Sequence, residues 1–185
     1  FKLDADITLP DGWKPIGATK DGRVNLQEGA NLNAFSGIFD GAGHTITVPE
    51  DGLPLFGYVR NTRIRNLNIY GKKIAGYGLI NNFEGVGLSG SAVEIDNVTL
   101  KSGSSTLKSG LLGANKTVNG YAGCSAAFVA TITNCTIEKG VVIGYDKNQR
   151  QIGAIAGRMQ GTIKNCVSYA DVYGTDYVGG IIGTR

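Results

Sequence analysis

Ile64-Arg-Asn-Leu-Asn-Ile69, Ile95-Asp-Asn-Val-Thr-Leu100, Ile132-Thr-Asn-Cys-Thr-Ile137 and Ile163-Lys-Asn-Cys-Val-Ser168 are four copies of one six-residue pattern. The first position is always Ile and the third always Asn. The second (Arg65, Asp96, Thr133, Lys164) is polar, the fourth (Leu67, Val98, Cys135, Cys166) is apolar, and the sixth is apolar in three of the four copies. Alternation of inward and outward residues therefore holds up to the Asn and resumes one residue out of phase after it. In a flat strand that slip would send half of the side chains to the wrong face, so the pattern predicts a corner at Asn66, Asn97, Asn134 and Asn165. Asparagine suits a corner: it tolerates left-handed backbone angles, and its amide bonds local backbone groups or the amide stacked above it.

Successive corner asparagines lie 31, 37 and 31 positions apart, which fits one solenoid coil per repeat with a loop of variable length around Lys116 to Cys124. A glycine-bounded apolar element precedes Asn66, Asn134 and Asn165 as Leu55-Phe-Gly57, Gly110-Leu-Leu-Gly113 and Gly153-Ala-Ile-Ala-Gly157, with a further copy at Gly179-Gly-Ile-Ile-Gly183. Runs at Thr45 to Val48, Arg63 to Tyr70, Ala92 to Leu100, Phe128 to Ile137 and Thr162 to Tyr169 read as strands, all short. Helical periodicity is almost absent. A single repeat could not bury its apolar face, whereas four in register can. The expectation is an all-β, right-handed parallel β-helix forming one domain over residues 1–185, with 1–34 as an N-terminal cap and 35–185 as coils. The last glycine element is not followed by its own Ile-x-Asn strand, so the polypeptide is expected to continue past Arg185.

Of the 185 residues, 42% are hydrophobic and 18% charged, a globular balance, and the 29 glycines against 4 prolines imply many tight turns. A formal charge of +3 is too small for nucleic-acid binding, and no apolar run approaches the length of a membrane span. Three cysteines without metal-type spacing predict neither a disulfide framework nor a metal site. Cys135 and Cys166 occupy the same inward position of adjacent coils, within reach of a disulfide, and the expectation is stacked free thiols in a dry core.

The opening Leu3-Asp-Ala-Asp-Ile7, then Trp13-Lys-Pro-Ile-Gly17 and Phe35-Ser-Gly-Ile-Phe-Asp-Gly-Ala-Gly-His-Thr-Ile46, together with Gly153 to Val172 and Val178 to Gly183, resemble the GLUG-motif proteins. These are bacterial surface proteins with short glycine-rich repeats, some near immunoglobulin A1 protease regions. The resemblance covers nearly the whole chain. It implies a β-helix of the pectate-lyase-like class in a secreted or surface-attached, adhesin-like protein, and it carries no catalytic residue with it. A fold of this kind hosts many functions, so the sites must be argued separately.

His44 is the only histidine, which excludes the two-His metalloprotease helix, and Ser89 in Gly87-Leu-Ser-Gly-Ser91 lacks nucleophile-elbow spacing. A lyase or glycosidase needs only a carboxylate pair, or a carboxylate beside Arg or Lys, on one outer face. Asp40, and Asp96 beside Lys164 and Arg65 in one outward column, are the positions for that reading. Asp40-Gly41 also reads as a turn, as do Asp11-Gly12, Asp21-Gly22 and Asp51-Gly52. Arg60, Arg63, Arg65, Lys72 and Lys73, with Tyr70, form a basic cluster that would meet a glycan or an acidic polymer. As a solvated edge, the same cluster would keep exposed strands apart. The outward column Tyr70, Lys101, Glu138, Tyr169 predicts a surface ion pair between two separated tyrosines rather than a stacking platform, and Trp13 is expected to pack over the first coil. The resulting expectation is a non-catalytic extracellular module touching host or cell-wall glycans or host surface proteins, without cofactor. A portion of a polysaccharide-degrading β-helix enzyme and a purely structural spacer are the alternatives.

Overall fold

Ile, Val and Thr are stiff at χ1 and pack well on a pleated surface, and glycines flanking their runs bar helical continuation. A computed structural model of the chain describes residues 1–17, 34–84, 93–114 and 129–184, and among these there is no helix. The strands form sheets of thirteen, three and two strands, and the pairings between them are parallel. The largest sheet curls, because the strand Phe56–Tyr70 pairs with Ile80–Glu84 through its first part and with Val93–Leu100 through its second.

Register follows the repeat. Ile64 faces Ile95, Ile95 faces Ile132, and Ile132 faces Ile163; five residues further along, Ile69 faces Leu100 and Leu100 faces Ile137. Parallel pairing at about 4.8 Å places each apolar residue on its counterpart, and each fully buried Ile or Leu contributes roughly 1.5–3 kcal/mol. Phe35, Phe39 and Phe56 close the lower part of this core, with Phe56 ring centroids 5.0 Å from Phe35 and 5.4 Å from Phe39. Residues 1–17 already join the stack: Ile7–Thr8 pairs with Thr45–Thr47, Lys2 with Asp40 and Ile16 with Phe56. Trp13 packs against the core as expected.

The corners fall where the alternation slips. Asn66, Asn97, Asn134 and Asn165 have φ of 52, 51, 56 and 54°. Ala42 holds the same left-handed turn (φ 52°) one layer earlier, where the Asp40 carboxylate accepts the Ala42 N–H at 2.9 Å. The amide ladder is broken once. Asn97 donates to Asn66 at 2.9 Å and Asn165 to Asn134 at 3.3 Å, but Asn134 turns to the Asp96 carboxylate at 2.7 Å, as Asn66 does to Asp40 at 3.1 Å. A carboxylate is the stronger acceptor, so the corner takes it wherever the preceding layer offers one.

The glycine element has a steric cause. A Cβ at Gly78 would lie 1.9 Å from the Gly110 carbonyl oxygen, one at Gly110 the same distance from that of Ala154, and one at Gly113 the same distance from that of Asn81. Backbone crosses backbone here, and only a residue without a side chain fits.

The structure corrects two expectations about strands. Phe56–Tyr70 runs for 15 residues rather than being short, because it stays paired through the left-handed residues Asn61 and Asn66. The last two repeats, conversely, are interrupted at the corner: Val129–Thr133 is separate from Thr136–Ile137, and Gln160–Lys164 from Val167–Ser168. The turn at Asp21-Gly22, the loop at Lys116 to Cys124, Ser89, and the strand starts at Ala92 and Phe128 lie outside the described residues.

Candidate functional site

Outward side chains form columns as regular as the core. One column reads Asp40, Arg65, Asp96, Thr133, Lys164, and its neighbour reads Ile38, Arg63, Glu94, Thr131, Thr162. Opposite charges on adjacent strands face each other and pair. Arg65 reaches Asp40 at 3.0 Å, and Arg63 is hydrogen-bonded to Glu94, which raises the Arg63 pKa. Lys164 is in the Asp96 column but not beside it, since Thr133 intervenes and its hydroxyl takes the Asp96 carboxylate at 2.6 Å.

The two carboxylates with catalytic potential are thus held in place by neighbours. The Ala42 N–H, the Asn66 amide and the Arg65 guanidinium keep Asp40 below the usual carboxylate range. The Thr133 hydroxyl and the Asn134 amide do the same for Asp96. A general acid needs the opposite shift. The turn reading of Asp40-Gly41 agrees with its bond to Ala42. Asp11-Gly12 and Asp51-Gly52 are turns as well, closed by the Trp13 N–H on Pro10 at 3.1 Å and the Gly52 N–H on Pro49 at 2.9 Å.

The basic cluster divides. Arg63 and Arg65 lie on the outward columns described above, whereas Lys72 and Lys73 follow the next turn and pair with Glu50 at 3.6 Å and Asp51 at 2.7 Å. Lys73 also sits 5.5 Å from the Tyr145 ring centroid. Arg60 lies in register with Glu84. Arg63 lines a shallow hollow of about 320 Å³ with Ile38, Asn61 and Glu94. Tyr70, half-buried, lines another of about 380 Å³ with Lys101, Asp6, Thr45 and Thr47. Lys101 is ion-paired to Glu138, as the column predicts, and the Ser102 N–H adds a second bond to that carboxylate at 2.8 Å. His44 bonds Asp6 at 3.2 Å.

A third hollow was not foreseen. About 450 Å³ in volume, it is lined by Arg150, Gln151, Arg158, Tyr177 and Thr184. Arg150–Gly153 and Asp176–Gly179 pair in parallel, which sets Arg150 against Asp176 at 3.0 Å and 5.8 Å from the Tyr177 ring centroid. Gln151 and Tyr177 both have left-handed backbones, with φ of 57 and 54°. Arg158 enters from the neighbouring strand Ala156–Arg158, and among the described residues its guanidinium has no ion-pair or hydrogen-bond partner. The buried Thr184 hydroxyl is without a hydrogen-bond partner as well. A free guanidinium and an exposed phenol ring on one hollow can hold an anionic, hydroxyl-rich ligand. The sequence signal was faint: Arg158 follows a glycine element, but nothing in the repeat brings it to Tyr177.

No helix in the described residues is long and apolar enough to cross a membrane. No family pattern, no curated protein and no solved structure matches this chain.

Proposed function

We propose that this chain is a right-handed parallel β-helix module of a secreted or surface-attached bacterial protein of the GLUG-motif kind, and that it contacts acidic glycans without cleaving them. The in-register Ile columns and the left-handed Asn corners support the solenoid reading. The unpaired Arg158 beside Tyr177 carries the ligand reading, since most of the basic cluster is neutralised by its own neighbours while Arg158 faces a hollow. Bidentate pairing of a guanidinium with a uronate carboxylate or a sulfate gives such a contact its direction, and the phenol ring offers a face to the sugar. Asp40 and Asp96, ionised and fully engaged in hydrogen bonds, serve as corner and ladder groups in this reading.

The test is a glycan array that includes acidic polysaccharides, scored together for binding and for cleavage products. Retention of acidic glycans by the parent chain, weakened about tenfold or more in Arg158→Gln and little changed in Arg63→Gln, supports the proposal. Cleavage products would favour an enzyme, and no retention would leave a structural spacer.

A further inference from the structure

Cys135 and Cys166 are both free thiols, and they follow the corner asparagines of consecutive repeats. The backbones at the two positions are near copies. The preceding Asn134 and Asn165 share the left-handed angle and a direct amide bond, the Val167 N–H bonds the Cys135 carbonyl at 2.9 Å, and Thr136 faces Val167. Side-chain orientation repeats too, with the Cys135 sulfur 3.1 Å from the Thr133 carbonyl oxygen and the Cys166 sulfur 3.4 Å from that of Lys164. Adjacent strands spaced at about 4.8 Å bring the Cα atoms within the separation a disulfide spans, about 4.4–6.8 Å. A small approach of the two strands, from a spacing of about 4.8 Å to the Cβ separation of about 3.5–4.5 Å that a disulfide needs, together with rotation of one thiol about its Cα–Cβ bond, turns the stacked pair into a bonding pair.

We infer that Cys135 and Cys166 form a reversible disulfide that staples the third repeat to the fourth, with a small-molecule disulfide such as oxidised glutathione as oxidant. The order of events follows from exposure. Cys135 is fully buried and Cys166 only half-buried, so Cys166 reacts first. Its thiolate attacks one sulfur of the oxidant, forming a mixed disulfide and releasing one thiolate. The Cys135 thiol then attacks the Cys166 sulfur and expels the second glutathione thiolate, which leaves with the Cys135 proton. Two protein thiols are oxidised, one disulfide is reduced to two thiols, and nothing else is consumed.

The electrostatics match these roles. The neighbouring Cys135 thiol lowers the Cys166 pKa to about 6, against the opposing effects of burial and of the Asp96 carboxylate. The Cys166 sulfur beside it and burial push Cys135 far up. The result is an accessible attacking thiolate beside a protonated, protected partner, the arrangement that favours a mixed disulfide followed by internal resolution. This inference stands on the register of the two repeats and is independent of the glycan reading.

The experiment incubates the full chain with oxidised glutathione at neutral pH and maps its thiols by proteolysis and mass spectrometry. The expected product is a Cys135–Cys166 linked peptide about 2 Da lighter than the two thiols, with no glutathione retained, reversed by dithiothreitol. Its melting midpoint should exceed that of the reduced chain by about 5–10 °C. In Cys135→Ala, glutathione should stay on Cys166, and the pH profile of iodoacetamide labelling of Cys166 should move to higher pH than in the parent. Glutathione retained on Cys166 in the parent, both thiols left unmodified, or linkage of either through Cys124 would each overturn the inference.

Discussion

The third and fourth repeats carry the same pattern and end in different environments. Ile132, Cys135 and Ile137 are fully buried, whereas Ile163 and Cys166 are half-buried, Val167 is 43% exposed and Tyr169 65% exposed. The third repeat lies between the strands of the second and the fourth; the fourth, among the described residues, is paired on one side only. A repeat in a parallel stack is therefore buried by its neighbours rather than by its own composition, as the nearest-neighbour energetics of repeat proteins require. The same difference governs polar groups. Asn134 both donates to Asp96 and accepts from Asn165, while Lys164, at the end of the column, finds no charged partner among the described residues.

The contrast should be greatest at the glycines. Gly110→Ala forces a Cβ into the Ala154 carbonyl, which cannot yield without moving a strand, whereas Gly180→Ala meets nothing within 4 Å. The first should cost about 3 kcal/mol or abolish folding, and the second should stay within about 0.5 kcal/mol of the parent. Urea midpoints measure both, and equal values would remove the claim that these glycines are set by crossing backbones.

Truncating the core gives a smaller contrast. Ile132→Ala leaves a cavity closed above and below and should cost about 3–4 kcal/mol, whereas Ile163→Ala, already half-exposed, should cost about 1–2 kcal/mol. The corners differ least. Asn134→Leu loses a bond to a carboxylate, leaves Asn165 without an acceptor and strains a left-handed residue, for about 2–3 kcal/mol in a thermal melt. Asn165→Leu loses one amide bond and incurs the same backbone strain, for about 1–2 kcal/mol. Reversal of either order would mean that the fourth repeat is covered as well as the third.

Much of this architecture was legible in six residues. The slip of alternation at each Asn located the four left-handed corners, and the Ile columns followed because strands of equal pattern stack in equal register. Three features were less legible. The choice of Asn134 between an amide and a carboxylate depends on which acceptor the layer beneath presents, and that becomes known only once the register is fixed. The continuity of Phe56–Tyr70 depends on pairing partners on both sides rather than on its own β-propensity. The hollow at Arg158 joins side chains from strands that are brought together by parallel pairing between distant segments, and no local pattern announces it. Among the sequence-predicted cations, Arg63, Arg65, Lys72 and Lys73 drew attention as a cluster, yet each meets an acidic neighbour, a fact that composition could not supply.

Methyl NOE spectroscopy on a chain with labelled isoleucine δ1 methyls tests the stacked register most directly. The account predicts NOEs between Ile64 and Ile95, Ile95 and Ile132, and Ile132 and Ile163, with none between Ile64 and Ile132 or between Ile95 and Ile163. Direct contact between non-consecutive members of the column, or absence of the consecutive contacts, would contradict one repeat per layer.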